Sequence, residues 1–406
     1  FGKLPFKEVL KPSIEYAEKG YPISPIVSNL WKMAYQRYKK NLKGEMFKYW
    51  FKTFAPKGRP PEAGEMWNSP DHARTLQLIA ETEAESFYKG EIADKIDNFS
   101  VKYGGYLRKK DLEKFRSEWV TPIKINYRGY DIWEIPPNGQ GLVVLMALNI
   151  LKGFKFNKKD SINTYHKQIE ATKLAFSDGK RYITELDKMR VKVKDLLSDD
   201  YANERRKLIS KEALQPLSGH PLKGGTVYLS TADKEGNMVS YIQSNYVGFG
   251  SGLVVPGTGI SLQNRGKNFS LDPLHDNCLQ PGKRTYHTII PGFLTKNDQP
   301  IGSFGITGGF MQPQGHIQIV MNMIDFNLNP QAAFDAPRWQ WIKGRTIKIE
   351  SKFPKYIAES LAKRGHDIHT DLDLGGFGRG QIIWKNEDGI LAGGTEPRAD
   401  GIVAAM

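Results

Sequence analysis

The chain has 406 residues, 39% apolar and 11% aromatic, enough to bury the core of one large or two ordinary domains and unlike a disordered tail. No apolar run reaches the roughly 18 residues of a bilayer span, and the first twenty residues carry Lys3, Lys7, Glu8, Lys11, Glu15 and Glu18 where a signal peptide would be apolar. The net charge is +14, yet residues 226–406 hold 17 Lys and Arg against 16 Asp and Glu, so almost the whole basic excess precedes Thr226. Clusters such as Arg37, Lys39, Lys40, Lys43 and Lys188, Arg190, Lys192, Lys194 suit a phosphate backbone, but acidic residues intersperse and no nucleic-acid motif accompanies them. A basic nucleic-acid-binding protein is the non-enzyme alternative, and solvated Lys-rich faces are the plainer expectation. Cys278 stands alone, so there is no internal disulfide, and neither a metal nor another cofactor is indicated. The start at Phe1 leads us to expect a piece missing from the front. The visible sequence favours a cytoplasmic setting over secretion without fixing the compartment.

Residues 4–18 place Leu4, Phe6, Val9, Leu10, Ile14 and Ala17 at near-helical spacing, and Gly20 followed by Pro22 stops the helix. A second helix over 25–38 leads to the aromatic run Phe47, Tyr49, Trp50, Phe51 and Phe54. The loop of Pro56, Gly58, Pro60, Pro61, Gly64 and Pro70 ends at Asp71, read as an N-cap for a helix burying Leu76, Ile79, Ala80, Ala84 and Phe87. Another short helix begins near Lys110. From Thr121 the period becomes two, a hairpin turning at Arg128–Gly129. Pro136, Pro137, Asn138, Gly139, Gln140 and Gly141 then lead into an apolar helix over 142–151. Gly139 and Gly141 hint at a phosphate loop, but the third glycine and an acidic ribose partner are missing, so close packing is the better account. The helix over 161–182 carries His166 and Glu170 one turn apart. That spacing suits a metal, but without a third ligand nearby they read as an exposed pair. Residues 188–215 read as a charged, mobile approach.

At Gly224 and Gly225 a strand opens with Thr226, Val227, Tyr228, Leu229, Ser230 and Thr231, turns over Asp233–Asn237, and returns over 238–245. Thr226 is either the plain first residue of a strand or a new chain terminus. If the Gly225–Thr226 bond is cut, the freed α-amine lies beside the Thr226 hydroxyl and serves as its base. Glycine-dense segments follow at 247–260, and Gly308 and Gly309 precede a helix over 316–325. Two adjacent backbone N–H groups at a helix start suit a developing oxyanion, or form a mere strand-to-helix turn.

Together these segments resemble the γ-glutamyltranspeptidase family of N-terminal nucleophile hydrolases. The resemblance rests on the Thr226–Asn237 run, Phe249-Gly250-Ser251-Gly252 with Gly259-Ile260, Pro281-Gly282-Lys283-Arg284, Gly308-Gly309, Ala336-Pro337-Arg338, and Asp400-Gly401 after Pro397-Arg398. It implies an α+β fold, the four-layer αββα sandwich, with its N-terminal part truncated. It also implies a zymogen that cuts itself into a large-subunit segment, 1–225, and a small subunit, 226–406. Thr226 is then the nucleophile, Gly308 and Gly309 the oxyanion donors, and Ser244 the hydroxyl beside the nucleophile where the family has a second threonine.

The implied activity is that of a γ-glutamyltransferase or glutathione hydrolase passing an acyl group from a small-molecule amide to water or an amine. The departures lie in substrate recognition. Tyr246, Arg265 and Asn268 stand where the family holds the substrate α-amino group, and a cationic Arg265 repels an ammonium. His287 and Thr288 replace the paired serines for the α-carboxylate, and the loop between Phe269 and Pro281 is short for a lid. The family's large-subunit arginine for that carboxylate falls upstream of Phe1. A cephalosporin (glutaryl) acylase-like amidohydrolase is therefore the alternative within enzymes. The implied assembly is the two autoproteolytic subunits, with a homodimer of heterodimers entertained, no nucleic acid and no membrane span.

Overall fold

The structure is a computed structural model and describes residues 2–216 and 225–405. Gly224 therefore lies outside the described residues. The chain forms two compact units: Phe1–Trp119 with Gly248–Asn264, and Val120–Val247 with Arg265–Met406. The divide expected at 225/226 falls inside the second unit, at the start of a strand. Among the described residues no helix is long and apolar enough to cross a membrane.

The first unit is helical: α1 (Phe6–Lys19), α2 (Pro25–Asn41), α3 (Lys48–Phe54), α4 (Pro70–Glu81), α5 (Glu85–Tyr88), α6 (Glu91–Lys102) and α7 (Lys109–Lys114), with a two-residue pairing of β1 (Tyr21–Pro22) and β2 (Met66–Trp67). Ser69, not Asp71, precedes α4, because Pro70 occupies the first helical position, where a missing N–H costs nothing. The aromatic run works as a core: Trp31, Trp50 and Phe54 pack with Phe249, with ring centroids 4.5–6.0 Å apart. The glycine-dense segment enters this core, and the Tyr38 hydroxyl donates to Gly250 O at 2.9 Å.

The second unit contains β3 (Ile123–Tyr127), β4 (Tyr130–Glu134), α8 (Gly141–Leu151), α9 (Ile162–Tyr182), α10 (Val193–Leu196), α11 (Asp199–Lys207), β5 (Gly225–Ala232) and β6 (Met238–Tyr246). It continues with β7 (Gly292–Lys296), β8 (Gln299–Ile306), α12 (Met311–Ile324), α13 (Pro330–Asp335), β9 (Trp339–Lys343), β10 (Thr346–Glu350), α14 (Lys355–Lys363), β11 (Asp367–Asp371), β12 (Gly380–Lys385) and β13 (Leu391–Thr395). An antiparallel six-stranded sheet runs β13-β12-β8-β7-β4-β3, β5 and β6 form a hairpin of their own, and a third sheet runs β11-β10-β9.

Alternation along β8 makes the layers. Phe304 and Ile306 face α12, where Gly315 lies too close to Ile306 to carry a side chain. Gly305 faces the hairpin, where a Cβ would come within 2.2 Å of the Tyr228 ring. Helices therefore cover one face of the sheet and the hairpin the other, the α and β layering of a sandwich. Every residue of α8 is buried, as its unbroken apolar run demands. Gly141 opens that helix because a Cβ there would stand 2.6 Å from that of Glu134, so close packing accounts for it. Residues 193–207, read as a charged approach, form α10 and α11, the second started by Ser198, whose hydroxyl accepts from Tyr201 N.

Candidate active site

Strand β5 brings Thr226 to the inner face of the hairpin. Its even-numbered residues face the large sheet: Ser230 Oγ donates to Ser303 O at 3.1 Å, and Tyr228 lies on Gly305. One further step of two residues carries Thr226 to the level of Thr307, where β8 has ended and Gly308 follows. The pairing of β5 with β6 shifts register here: Gly225 pairs with Tyr246 and Val227 with Gln243, so Thr226 stands opposite both Ser244 and Asn245, and the extra residue of the bulge lies on β6. Thr226 Oγ1 donates to Ser244 Oγ at 3.1 Å, and Ser244 Oγ also accepts the Tyr246 N–H at 2.8 Å. Tyr246 is buried with φ +77°, a left-handed conformation rare for a bulky residue and characteristic of functional sites.

The glycine loop enters the positive-φ region too, which glycine adopts without strain. Gly308 and Gly309 have φ +114° and +62°, and a Cβ on Gly308 would meet Met311 Cβ at 3.1 Å and Gly378 Cα at 3.3 Å. Among the described residues neither N–H of the pair has an acceptor, while the Gly309 carbonyl accepts from Gln140 Nε2 at 2.8 Å. Gln140 is fully buried and was not singled out from the sequence. The same amide donates to Thr288 O at 2.7 Å, and its oxygen accepts from the Tyr286 hydroxyl, so one side chain ties the glycine loop to 286–288. Behind the loop, Arg338, Glu350, Glu396 and Arg398 form a buried ion-paired quartet. Arg338 Nη1 donates to the carbonyls of Phe377 and Gly378, the latter packed on Gly308. The Ala336-Pro337-Arg338 and Pro397-Arg398 motifs thus support the loop from beneath.

The residues singled out for substrate contact divide into two groups. Tyr246 and Asn268 line a cavity of about 540 Å³, together with Lys180, Lys267, Phe269, His275, Tyr286 and Phe310. Arg265, His287 and Thr288 are absent from its lining, as are Thr226, Ser244, Gly308 and Gly309, whose chain neighbour Phe310 is part of the wall. Arg265 is buried, its guanidinium 5.0 Å from the centre of the Tyr246 ring and donating to the buried Thr288 hydroxyl. His287 is held neutral, since burial and then the Arg265 charge push its pKa down to about 3. Lys180 was missed: at the end of α9 it reads as an ordinary helix-terminal cation. Its ammonium lies 5.1–5.8 Å from the rings of Trp341, Phe310 and Phe176, and burial pushes its pKa down to about 8.

The exposed His166–Glu170 pair expected from sequence is corrected. Both residues are buried, and a third imidazole, His366, brings ligand-type atoms of all three within 4.8 Å of one another. The Lys173 ammonium stands among them, 2.7 Å from Glu170 Oε1, so a cation of the chain itself already answers the carboxylate.

The family model described as Gamma-glutamyltranspeptidase matches residues 1–406. A glutathione hydrolase-like YwrD proenzyme of Bacillus subtilis is 34% identical over all of this chain and 78% of its own length. An acylase ACY 1 proenzyme of a Pseudomonas species is 31% identical over all of this chain and 72% of its own length. Among solved structures, a cephalosporin acylase from Bacillus halodurans superposes with a TM-score of 0.97 at 63% identity, covering the whole of this chain and 75% of that one. A match of this extent, over the full 406 residues, places the chain in the γ-glutamyltranspeptidase family.

Proposed function

We propose that the protein is a self-cleaving amidohydrolase in which Thr226, freed as a chain terminus, is the nucleophile. The observation that carries this is the Thr226 hydroxyl at the head of β5, hydrogen-bonded to Ser244 where the pairing with β6 shifts register. In the first step Thr226 Oγ1 adds to the Gly225 carbonyl carbon, the carbon–nitrogen bond breaks, and the hydroxyl proton passes to the departing nitrogen. Water then splits the ester, leaving a Gly225 carboxylate and a free Thr226 amine and hydroxyl. In turnover the amine takes the hydroxyl proton as Oγ1 attacks a substrate amide. The N–H groups of Gly308 and Gly309 hold the oxyanion, the amide carbon–nitrogen bond breaks as the Thr226 ammonium returns the proton to the departing amine, and the acyl group then passes from Oγ1 to water or an amine. Ser244 orients the hydroxyl. The proenzyme names of the relatives fit this order of events.

For the acyl group, a chain that ends in a carboxylate and carries no α-ammonium is favoured over the γ-glutamyl group, which carries both. The cavity lining includes Lys180 and Lys267 and, among the described residues, no Asp or Glu to answer an ammonium. This agrees with the acylase names among the relatives, while the glutathione hydrolase names keep the γ-glutamyl reading as the alternative. Thr226→Ala should leave a single full-length band on denaturing electrophoresis and no turnover. A variant that still splits would sink the nucleophile assignment. Comparing glutaryl and γ-glutamyl anilides decides the acyl class: efficient γ-glutamyl hydrolysis with glutaryl amides untouched contradicts the carboxylate preference.

A further inference from the structure

The side chain of Gln140 offers two donor hydrogens and one acceptor oxygen, and the fold engages all three. Its oxygen accepts from the Tyr286 hydroxyl at 3.2 Å, which turns the amide hydrogens toward Gly309 O, 2.8 Å away, and Thr288 O, 2.7 Å away. The reversed amide would set its oxygen against two carbonyl oxygens, so one orientation is selected. The main chain beneath is fixed as well: Gln140 N donates to His287 O at 3.0 Å, and His287 N donates to Asn138 O at 2.8 Å. The whole residue is closed to solvent.

What the amide grips is the part of the site with least rigidity of its own. Two successive glycines have no Cβ to restrict rotation, and a peptide plane that turns carries its N–H with it. The carbonyls are therefore the handles by which the N–H groups are aimed. Gly308 O accepts from Met311 N at 3.1 Å and Gly309 O from Gln312 N at 3.2 Å, which ties the pair to α12, the helix that follows it. Gln140 supplies the shorter bond to Gly309 O, and it comes from the turn between β4 and α8, so the pair is held against a second element. With a carbonyl held on each side of the Gly309 Cα, the plane carrying its N–H cannot turn over. Gln140 precedes Gly225 in the chain and Gly309 follows Thr226, so after cleavage the loop of one piece would be held by a side chain of the other.

We propose that Gln140 is a positioning residue for the oxyanion site: its amide fixes Gly309 and so aims the Gly309 N–H, without touching substrate. The role rests on the reading of Thr226 as the nucleophile and of the glycine pair as its oxyanion donors. Glutamate in place of Gln140 separates aiming from filling space. Ionised, it has no hydrogen to give and sets a negative charge against two carbonyl oxygens. Protonated, it donates one O–H and restores one of the two bonds. The ionised form would also accept from the Tyr286 hydroxyl, and a hydrogen bond to the charged form lowers a carboxyl pKa, so removing that hydroxyl should raise it.

The test is the pH dependence of kcat for Gln140→Glu relative to the parent, in the full chain on a glutaryl anilide, with turnover divided by the cleaved fraction from denaturing electrophoresis. The expected result is kcat lower by about tenfold or more at pH 8 with KM within about twofold, and a gap that narrows as the carboxylate takes up a proton on acidification. In Gln140→Glu combined with Tyr286→Phe the narrowing should set in about one pH unit higher. A packing role alone predicts a gap that pH does not move. If Gln140→Glu fails to fold, Gln140→Met, which keeps the volume and has no donor, decides through the same split of kcat from KM. Parental kcat in the variant that folds, a loss carried by KM, or a Gln140→Glu gap that is level with pH overturns the positioning role. Thr226→Ala is assayed beside them: turnover like the parent overturns the reading of the site and the role with it, whereas a silent Thr226→Ala with parental Gln140 variants removes the role alone.

Discussion

The surroundings of Thr226 and the Lys173 cluster lie in the same unit and are built to opposite rules. Around Thr226 the backbone is irregular, with a register shift between β5 and β6 and positive φ at Tyr246, Gly308 and Gly309, and Thr226 and Ser244 are half-buried. Around Lys173 the main support is a regular helix, and each of the four side chains is sealed and hydrogen-bonded. Chemistry needs donors not yet committed, as the N–H groups of Gly308 and Gly309 are. Holding a chain in place needs donors already committed, because an unanswered buried charge would be costlier than no charge at all.

Three experiments press on that contrast. The largest effect is expected at the glycine loop: Gly308→Ala puts a Cβ against Met311 and Gly378 at φ +114°, and should lower kcat by about 10²-fold or more. Turnover of the cleaved enzyme at the parental rate would remove the loop from the mechanism. Next, Lys180→Met should raise KM for a carboxylate-ended acyl amide by about tenfold while leaving an uncharged acyl amide nearly unaffected. Because burial pushes Lys180 down to about 8, KM for the anionic substrate should climb as pH rises through that value in the parent and stay level in the variant.

The smallest effect is on acid stability. Burial holds His166 at about 4, His287 at about 3 and His366 at about 2, all below the ordinary 6.5, so the unfolded chain binds protons that the folded one refuses. The stabilisation is fully present above pH 6.5 and is lost progressively as pH falls toward 4. A melting temperature flat from pH 6.5 to 4.5 would contradict buried neutral imidazoles.

Local signals were legible and distant ones were not. The 123–134 hairpin, the apolar helix after Gln140 and α9 follow from periodicity and turn residues, and appear within a residue or two of where the pattern puts them. Helix α12 begins five residues before His316, where a proline and a glycine obscure the helical period. Pro313 is tolerated in the first turn, and Gln314 satisfies backbone atoms of Trp341. His166 and Glu170 read as a surface pair because the partner that buries them, His366, is 200 residues away. The fold class followed from the motifs that carry the family resemblance. Lys180 and Gln140 went unnoticed, since a lysine ending a helix and a glutamine in a turn have commonplace local explanations.

The order of strands in the six-stranded sheet has a consequence for assembly. Strand β4 precedes Thr226 in sequence and β7 follows it, yet they are neighbours, Ile132 opposite Leu294 and Trp133 opposite Phe293. A cut at Gly225 would turn that pairing from a contact within one molecule into one between two, with a shared core but no covalent tether. Unfolding would then release two particles where the precursor releases one. The melting temperature of the cut form would rise with protein concentration while that of the uncut form would not, and separated pieces would have to find each other again before either could complete the sheet.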